Sequence, residues 1–198
     1  MQAIIEPALT LIFKHEGGLN NVPGDIGGWT HWGVSLRFLR TLLDEDGDGW
    51  LDGDMDHDGD VDADDIKQMT REDAIRIYDL QWWQRYHYNL INATHQSIAN
   101  KVMDLCVNMG PRRRDKNDGT IWGAHVIVQR AINMVRPGKL VEDGYLGSKS
   151  FAAINESNQH ALLIDFRLCA LDTYHALVKA NPKLRKFLKG WRRRAVSI

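Results

Sequence analysis

Apolar positions recur along this chain at intervals of three and four, the spacing of one face of an α-helix. In residues 2–15, Ile5, Leu9, Ile12 and Phe13 share such a face and predict a first helix that delivers Glu16. Residues 33–43 predict a second helix, with Ser35 as its N-cap. From residue 65 to 88 the period runs through Ile66, Met69, Ala74, Ile77 and Tyr78, and Thr70 precedes Glu72 and Asp73 as an N-cap. Further helices are predicted over 96–109, over 121–135, from a cap near Ser148 or Ser150, and over 159–180. Little of the chain alternates with period two, so the expected fold class is mainly α.

Three polar stretches interrupt this pattern: 17–32, 44–66 and 111–120. The last, PRRRDKNDGT, is the expected lobe boundary. It divides the chain into residues 1–110, with an insertion at 44–66, and a helical second lobe at 111–198.

Composition narrows the class. The 198 residues are 43% hydrophobic and 26% charged, ordinary for a globular protein with a substantial core. Cys106 and Cys169 fall in apolar helical patterns, which predicts buried free thiols rather than a disulfide framework. The N-terminus lacks a basic region, and Glu6 and Pro7 break its apolar run, so neither a signal peptide nor a membrane span is expected. Net charge is −1, but its distribution is uneven. Residues 44–65 hold eleven Asp and one Glu without a Lys or Arg, whereas 183–194 hold seven Lys and Arg without an acid.

The stretch from 14 to 35, KHEGGLNNVPGDIGGWTHWGVS, carries the candidate chemistry. Glu16 ends an apolar helix, and a carboxylic acid against apolar neighbours keeps its proton near neutral pH. Asp25 stands on a polar loop and stays ionised. The Thr30 hydroxyl can orient a water beside that carboxylate. A proton donor facing a water handled from the opposite side is what glycosidic cleavage requires. Trp29 and Trp32 offer faces for sugar stacking. The plain alternative is a helix end followed by ordinary turn residues.

Eight residues separate Glu16 from Asp25, and four separate Asp25 from Thr30. This spacing resembles the catalytic triad of phage-type lysozymes. Together with His15-Glu16-Gly17-Gly18, Gly27-Gly28 and Gly33-Val34-Ser35, it resembles glycoside hydrolase family 108, a group of bacterial and phage muramidases. Many phage-type lysozymes have five residues before the threonine. The resemblance implies a lysozyme-like two-lobed fold and hydrolysis of the β-1,4 bond between N-acetylmuramic acid and N-acetylglucosamine in peptidoglycan. It also implies a cleft-side Asn-Xaa-Gly, matched by Asn108-Met109-Gly110. Asp104 shares a helix face with Asn108, and contact with sugar or internal hydrogen bonding both fit the pair. Val128-Gln129-Arg130-Ala131, Asp143-Gly144, Leu146-Gly147 and Phe151 resemble the peptidoglycan-binding domain that accompanies the family.

The acidic stretch has its own logic. A twelve-residue calcium loop takes ligands at positions 1, 3, 5, 7, 9 and 12, with glycine at 6. From Asp54 the register gives Asp54, Asp56, Asp58, Gly59, the Asp60 carbonyl, Asp62 and Asp65, with Asp at position 12 as in dockerin modules, which it resembles. A second register gives Asp44, Asp46, Asp48, Gly49, the Trp50 carbonyl and Asp52. Its position 12 is Met55, which cannot ligate, so Asp54 or Asp56 closes it or the site is degenerate. Without a cation, eleven Asp in this span repel one another. The expected cofactor is structural Ca2+, and the bland alternative is an acidic loop without order.

The basic tail KLRKFLKGWRRR sets Leu184, Phe187, Leu188 and Trp191 between cations. It fits an anionic outer-membrane lipid surface, or a final helix docked by its apolar face. Recognised nucleic-acid motifs are missing, so peptidoglycan is the expected partner and nucleic acid is not. The chain is expected to be a monomer. The expected role is an endolysin made in the host cytoplasm and acting on the periplasmic wall after release, with a bacterial homologue equally compatible. A lytic transglycosylase and a non-catalytic, calcium-dependent wall-binding protein stand as alternatives.

Overall fold

The computed structural model describes residues 1–15, 18–21, 28–45, 47–116, 118–136 and 140–197. Glu16, Asp25 and Asp46 lie outside the described residues. The architecture is mainly α, with two small antiparallel sheets among the described residues. The chain forms two compact units, residues 12–79 and residues 1–11 with 80–198. It passes between them in helix α1 (Glu6–His15) and again in a π-helical turn, Asp79–Gln84.

In the 12–79 unit, strands β1 (Asn20–Asn21), β2 (Trp29–His31) and β3 (Val34–Ser35) form one sheet in that order. Trp32 and Gly33 make the two-residue turn between β2 and β3, with φ of 50° and 81°. Two positive φ values suit the right-handed twist of a hairpin, but only Gly adopts them at no cost. Trp32 is held there from three sides. The Tyr78 hydroxyl donates to its carbonyl at 3.1 Å, Phe13 packs edge-on at 5.9 Å, and His31 stacks at 5.2 Å.

Helix α2 (Leu36–Leu39) starts where expected, with the Ser35 hydroxyl accepting from the Phe38 amide at 3.2 Å, but it runs for four residues only. The helical pattern expected from 65 divides into α3 (Ala63–Gln68) and α4 (Arg71–Tyr78). The division comes from capping. The Thr70 side chain accepts from the Asp73 amide, and the Asp73 carboxylate accepts from the Thr70 amide at 2.8 Å. Such a box contributes about 1 kcal/mol and fixes where the helix begins. Ile66, Met69, Ala74, Ile77 and Tyr78 are buried with Val34 and Leu39 beneath the sheet and loops of this unit.

In the larger unit α5 (Gln96–Met109) is central, and every residue from 98 to 106 is buried. Around it stand α6 (Ala124–Val135), α7 (Ser148–Glu156), α8 (Gln159–Ala180) and α9 (Leu188–Val196), with α6 packed along α8 and α9 against α8. Helix α7 starts behind Gly147 without a side-chain cap, so neither Ser148 nor Ser150 serves as one.

The polar stretch at 111–120 lies within this unit. It forms a hairpin of β4 (Arg113–Arg114) with β5 (Ile121–Trp122). The Ala124 and His125 amides donate back to the carbonyls of Gly110 and Pro111, each at 3.0 Å. Gly123, at φ 137°, permits this approach, since a Cβ there would sit 2.6 Å from the Pro111 oxygen. Trp83 is buried edge-on to buried Tyr88, as part of the core. Cys106 and Cys169 are free and buried. No described helix is long and apolar enough to cross a membrane.

Candidate active-site hairpin and cation loop

Thr30 sits at the centre of β2, between Asn20 of β1 and Ser35 of β3. Its neighbour Trp29 pairs with Asn21, which ties together the two ends of the segment carrying Asp25. Side chains alternate along a strand. Trp29 and His31 therefore share one face of the sheet, and Thr30 occupies the other. The first face meets α3. The Lys67 ammonium lies 5.3 Å from the Trp29 ring centroid, and His31 Nδ1 lies 3.0 Å from the Ile66 carbonyl. A carbonyl only accepts, so Nδ1 carries the proton. The expected sugar-stacking residue Trp29 and the expected water-positioning residue Thr30 thus face opposite ways.

Asp104 has no accessible surface, which favours the internal alternative for this residue. Its carboxylate is 3.3 Å from the Arg194 guanidinium and 3.8 Å from the Lys101 ammonium. Asn108 is half-buried and accepts from the Tyr174 hydroxyl at 2.8 Å.

The acidic segment folds as two similar turns ten residues apart. In the first, Asp44 accepts from the Gly47 and Gly49 amides at 2.6 and 3.1 Å, and Asp48 accepts from Trp50 at 2.9 Å. In the second, Asp54 accepts from Asp58 and Gly59 at 3.2 and 3.0 Å, and Asp58 accepts from Asp60 at 3.1 Å. Gly49 and Gly59, with φ of 95° and 100°, occupy the same place in each turn. Asp65 closes the second turn, accepting from the Met55 and Asp62 amides at 2.6 Å each.

Two groups of carboxylates converge here: Asp54, Asp56 and Asp65, and Asp60, Asp62 and Asp65, with ligand oxygens within 4.8 Å of one another in each. Calcium binds oxygens at about 2.3–2.6 Å, so ligands across the ion stand about 5 Å apart at most, and these spans fit. The Asp58 carboxylate belongs to neither group. Asp56 is shifted upward from the ordinary carboxylate value by lost hydration and by the charges of Asp58 and Asp65; Asp60 is shifted upward chiefly by the charge of Asp58. Among the described residues the first turn forms no such group. Beside both turns lies a cavity of about 350 Å³, walled partly by Trp50, Asp52, His57 and Arg76. Trp50 stacks on His57 at 5.1 Å.

Local pattern could not reveal the anchoring of the hairpin by His31 and Tyr78, because their partners Ile66 and Trp32 are 35 and 46 residues away.

Known proteins place these features in context. A solved structure described as that of Brucella abortus SagA superposes with a TM-score of 0.65 at 21% identity, covering 96% of this chain and 87% of that one, which establishes a shared fold. No curated protein matches the chain. The family described as Glycosyl hydrolase 108 matches residues 9–110, just over half of the chain and the whole of the hairpin and cation-loop region. The chain therefore belongs to glycosyl hydrolase family 108, a family of lysozyme-like peptidoglycan hydrolases.

Proposed function

We propose that this chain is an N-acetylmuramidase acting in bacterial lysis, cleaving the β-1,4 bond between N-acetylmuramic acid and N-acetylglucosamine. Glu16 protonates the leaving oxygen, and Asp25 with Thr30 holds the attacking water. The observation that carries this reading is the family match over residues 9–110, which contains Glu16, Asp25 and Thr30 at their triad spacing. The sheet supports it: Thr30 lies in the strand whose pairing closes the segment bearing Asp25. Thr30 is half-buried.

Ca2+ is the proposed structural cofactor, held by Asp54, Asp56, Asp60, Asp62 and Asp65. A hard, redox-inert cation on oxygen ligands fits the two carboxylate groups and stabilises the native loop by binding it alone. Anionic lipid is a proposed accessory surface for the tail, where Lys183, Arg185, Lys186 and Lys189 are exposed beside a 45% exposed Phe187.

The test is digestion of purified sacculi by the parent chain and by Glu16→Gln. The parent chain is expected to release reducing N-acetylmuramic acid ends. The variant is expected to keep its melting temperature and lose release. Release of 1,6-anhydro sugars instead would make the chain a lytic transglycosylase, and an active Glu16→Gln would remove Glu16 as the acid.

A further inference from the structure

The larger unit holds a cavity far along the chain from the hairpin. A cavity of about 280 Å³ opens where residues 85–87, 111–112 and 144–147 meet. This is near the small end of the range for small-molecule sites, about 300–1,000 Å³. Its walls are the rings of Tyr86 and Tyr145 with Pro111 and Leu146, and its charged groups are Arg85 and Arg112. Among the described residues no acidic side chain lines it. The nearby Asp143 carboxylate accepts through one oxygen from the Tyr145 amide and from Gln129 at 2.9 Å each, and these bonds, with a smaller pull from the Arg112 charge, hold its pKa low.

Arg112 is presented rather than consumed. Its Nε donates to the Asp143 carbonyl at 2.7 Å, and its guanidinium lies 5.0 Å from the Tyr145 ring centroid. Its terminal amino groups find no acceptor among the described residues. That leaves the two-pronged end of the fork, which matches a carboxylate.

The loop beneath is fixed before any ligand arrives. Gly144 has φ 78°, and a Cβ there would meet Arg112 at 2.9 Å. Its amide donates to Gln129 at 2.7 Å, and its carbonyl accepts from buried His125 at 3.2 Å. At the rim, His87 holds a left-handed φ of 55°, a conformation that costs a non-glycine residue and concentrates at functional positions. A preformed pocket loses little ordering entropy on binding.

We propose that this cavity binds the free carboxylate end of a peptidoglycan stem peptide. The proposal rests on peptidoglycan being the substrate. Where the lactyl group of each N-acetylmuramic acid is amidated by a peptide the glycan strand carries no charge, and the anionic groups of the polymer are the carboxylates of its peptides. Arg112 and Arg85 hold the carboxylate, and the small alkyl side chains of the peptide end lie against Tyr86, Pro111 and Leu146. The site grips the substrate through its peptide while the bond to be cut lies in the glycan.

The probe is an acetylated stem tetrapeptide ending in D-alanine, compared with its C-terminal amide by titration of the full chain. The acid form is expected to bind at least about tenfold more tightly, and the gap is expected to narrow with salt. Arg112→Gln and, separately, rim-exposed Arg85→Gln are expected to weaken the acid form and leave the amide unchanged. On sacculi these variants are expected to raise KM with kcat kept. Equal binding of acid and amide by the parent chain, or no binding of either, overturns the proposal even if Arg112→Gln does not fold. Because peptide binding is read without hydrolysis, an inactive Glu16 or a transglycosylase product leaves this test intact.

Discussion

The Tyr88 hydroxyl lies 2.8 Å from Nε2 of His125, and both side chains are buried. The other ring nitrogen, Nδ1, faces the Gly144 carbonyl at 3.2 Å. That carbonyl can only accept, so Nδ1 bears the proton and Nε2 accepts from Tyr88. The imidazole is neutral, and burial pushes its pKa down to about 4 against the opposing pull of the Gly144 carbonyl. Burial also raises Tyr88 well above the usual phenol range, and lifts its neighbour Cys106 to about 12.

Acid should therefore weaken the fold through His125. Its folded pKa lies below that of the free imidazole, so the unfolded chain takes up the proton first as pH falls. Stability is complete above about pH 6.5 and is lost towards pH 4, with about 2 kcal/mol gone at pH 5. Urea unfolding at pH 7 and pH 5 measures the loss. In His125→Asn the difference between the two pH values should shrink by about that amount. An unchanged difference would show that His125 is not the titrating group.

The Asp104 cluster makes a second prediction. Lys101 donates to the Arg194 carbonyl at 2.5 Å while its ammonium and the Arg194 guanidinium flank the same buried carboxylate. Burial lowers Lys101 to about 8 even so. Asp104→Ala would leave two cations uncompensated in the interior and is expected to cost about 3–5 kcal/mol. Asn108→Ala loses one bond, from Tyr174, and is expected to cost about 1 kcal/mol. Chemical denaturation separates them, and a mild Asp104→Ala would mean that the cluster contributes little.

The sequence pattern disclosed local structure and missed what depends on distant partners. Helices 96–109 and 159–180 were legible end to end, because apolar spacing and flanking polar residues agree there. The caps at Ser35 and Thr70 were legible because a cap is a contact between residues three apart. The fate of Asp104 was not. The i, i+4 pair with Asn108 fits sugar contact and internal bonding alike, and what decides it, the burial of α5 nearly all round and an ion partner 90 residues away, is not local. Nor does the run of charges at 111–120 reveal the backbone hydrogen bonds from Ala124 and His125 to Gly110 and Pro111 that tie its start to the next helix. Family membership was legible from the string around Glu16, although Glu16 and Asp25 lie outside the described residues.

Calcium should act on the Asp54 turn. Added Ca2+ is expected to raise the melting temperature and chelation to lower it, the stabilisation being about 2.7 kcal/mol at a hundredfold excess of Ca2+ over the dissociation constant. Asp65 belongs to both carboxylate groups, so Asp65→Asn should remove most of the response. Asp44→Asn, in the turn that forms no group among the described residues, should leave most of it. A melting curve indifferent to calcium and chelator would sink the structural-cation reading.

The tail gives the last prediction. Trp191 stacks on Tyr174 at 5.0 Å and on Phe187 at 5.7 Å, so the apolar side of α9 is already docked on α8. Arg194 is buried in the Asp104 cluster, which anchors the same helix from below. What remains outward is Lys183, Arg185, Lys186, Lys189 and Arg193, together with the edge of Phe187. Each such cation is worth about 1 kcal/mol at an anionic lipid surface and fades within a Debye length of about 8 Å at physiological salt. The chain should therefore sediment with vesicles containing anionic lipid, release from them as salt is raised, and ignore neutral vesicles. Lys186→Glu with Lys189→Glu should abolish sedimentation without moving the melting temperature, since both side chains are exposed. Equal binding to neutral vesicles would instead point to apolar insertion, and that would require Trp191 to leave Tyr174.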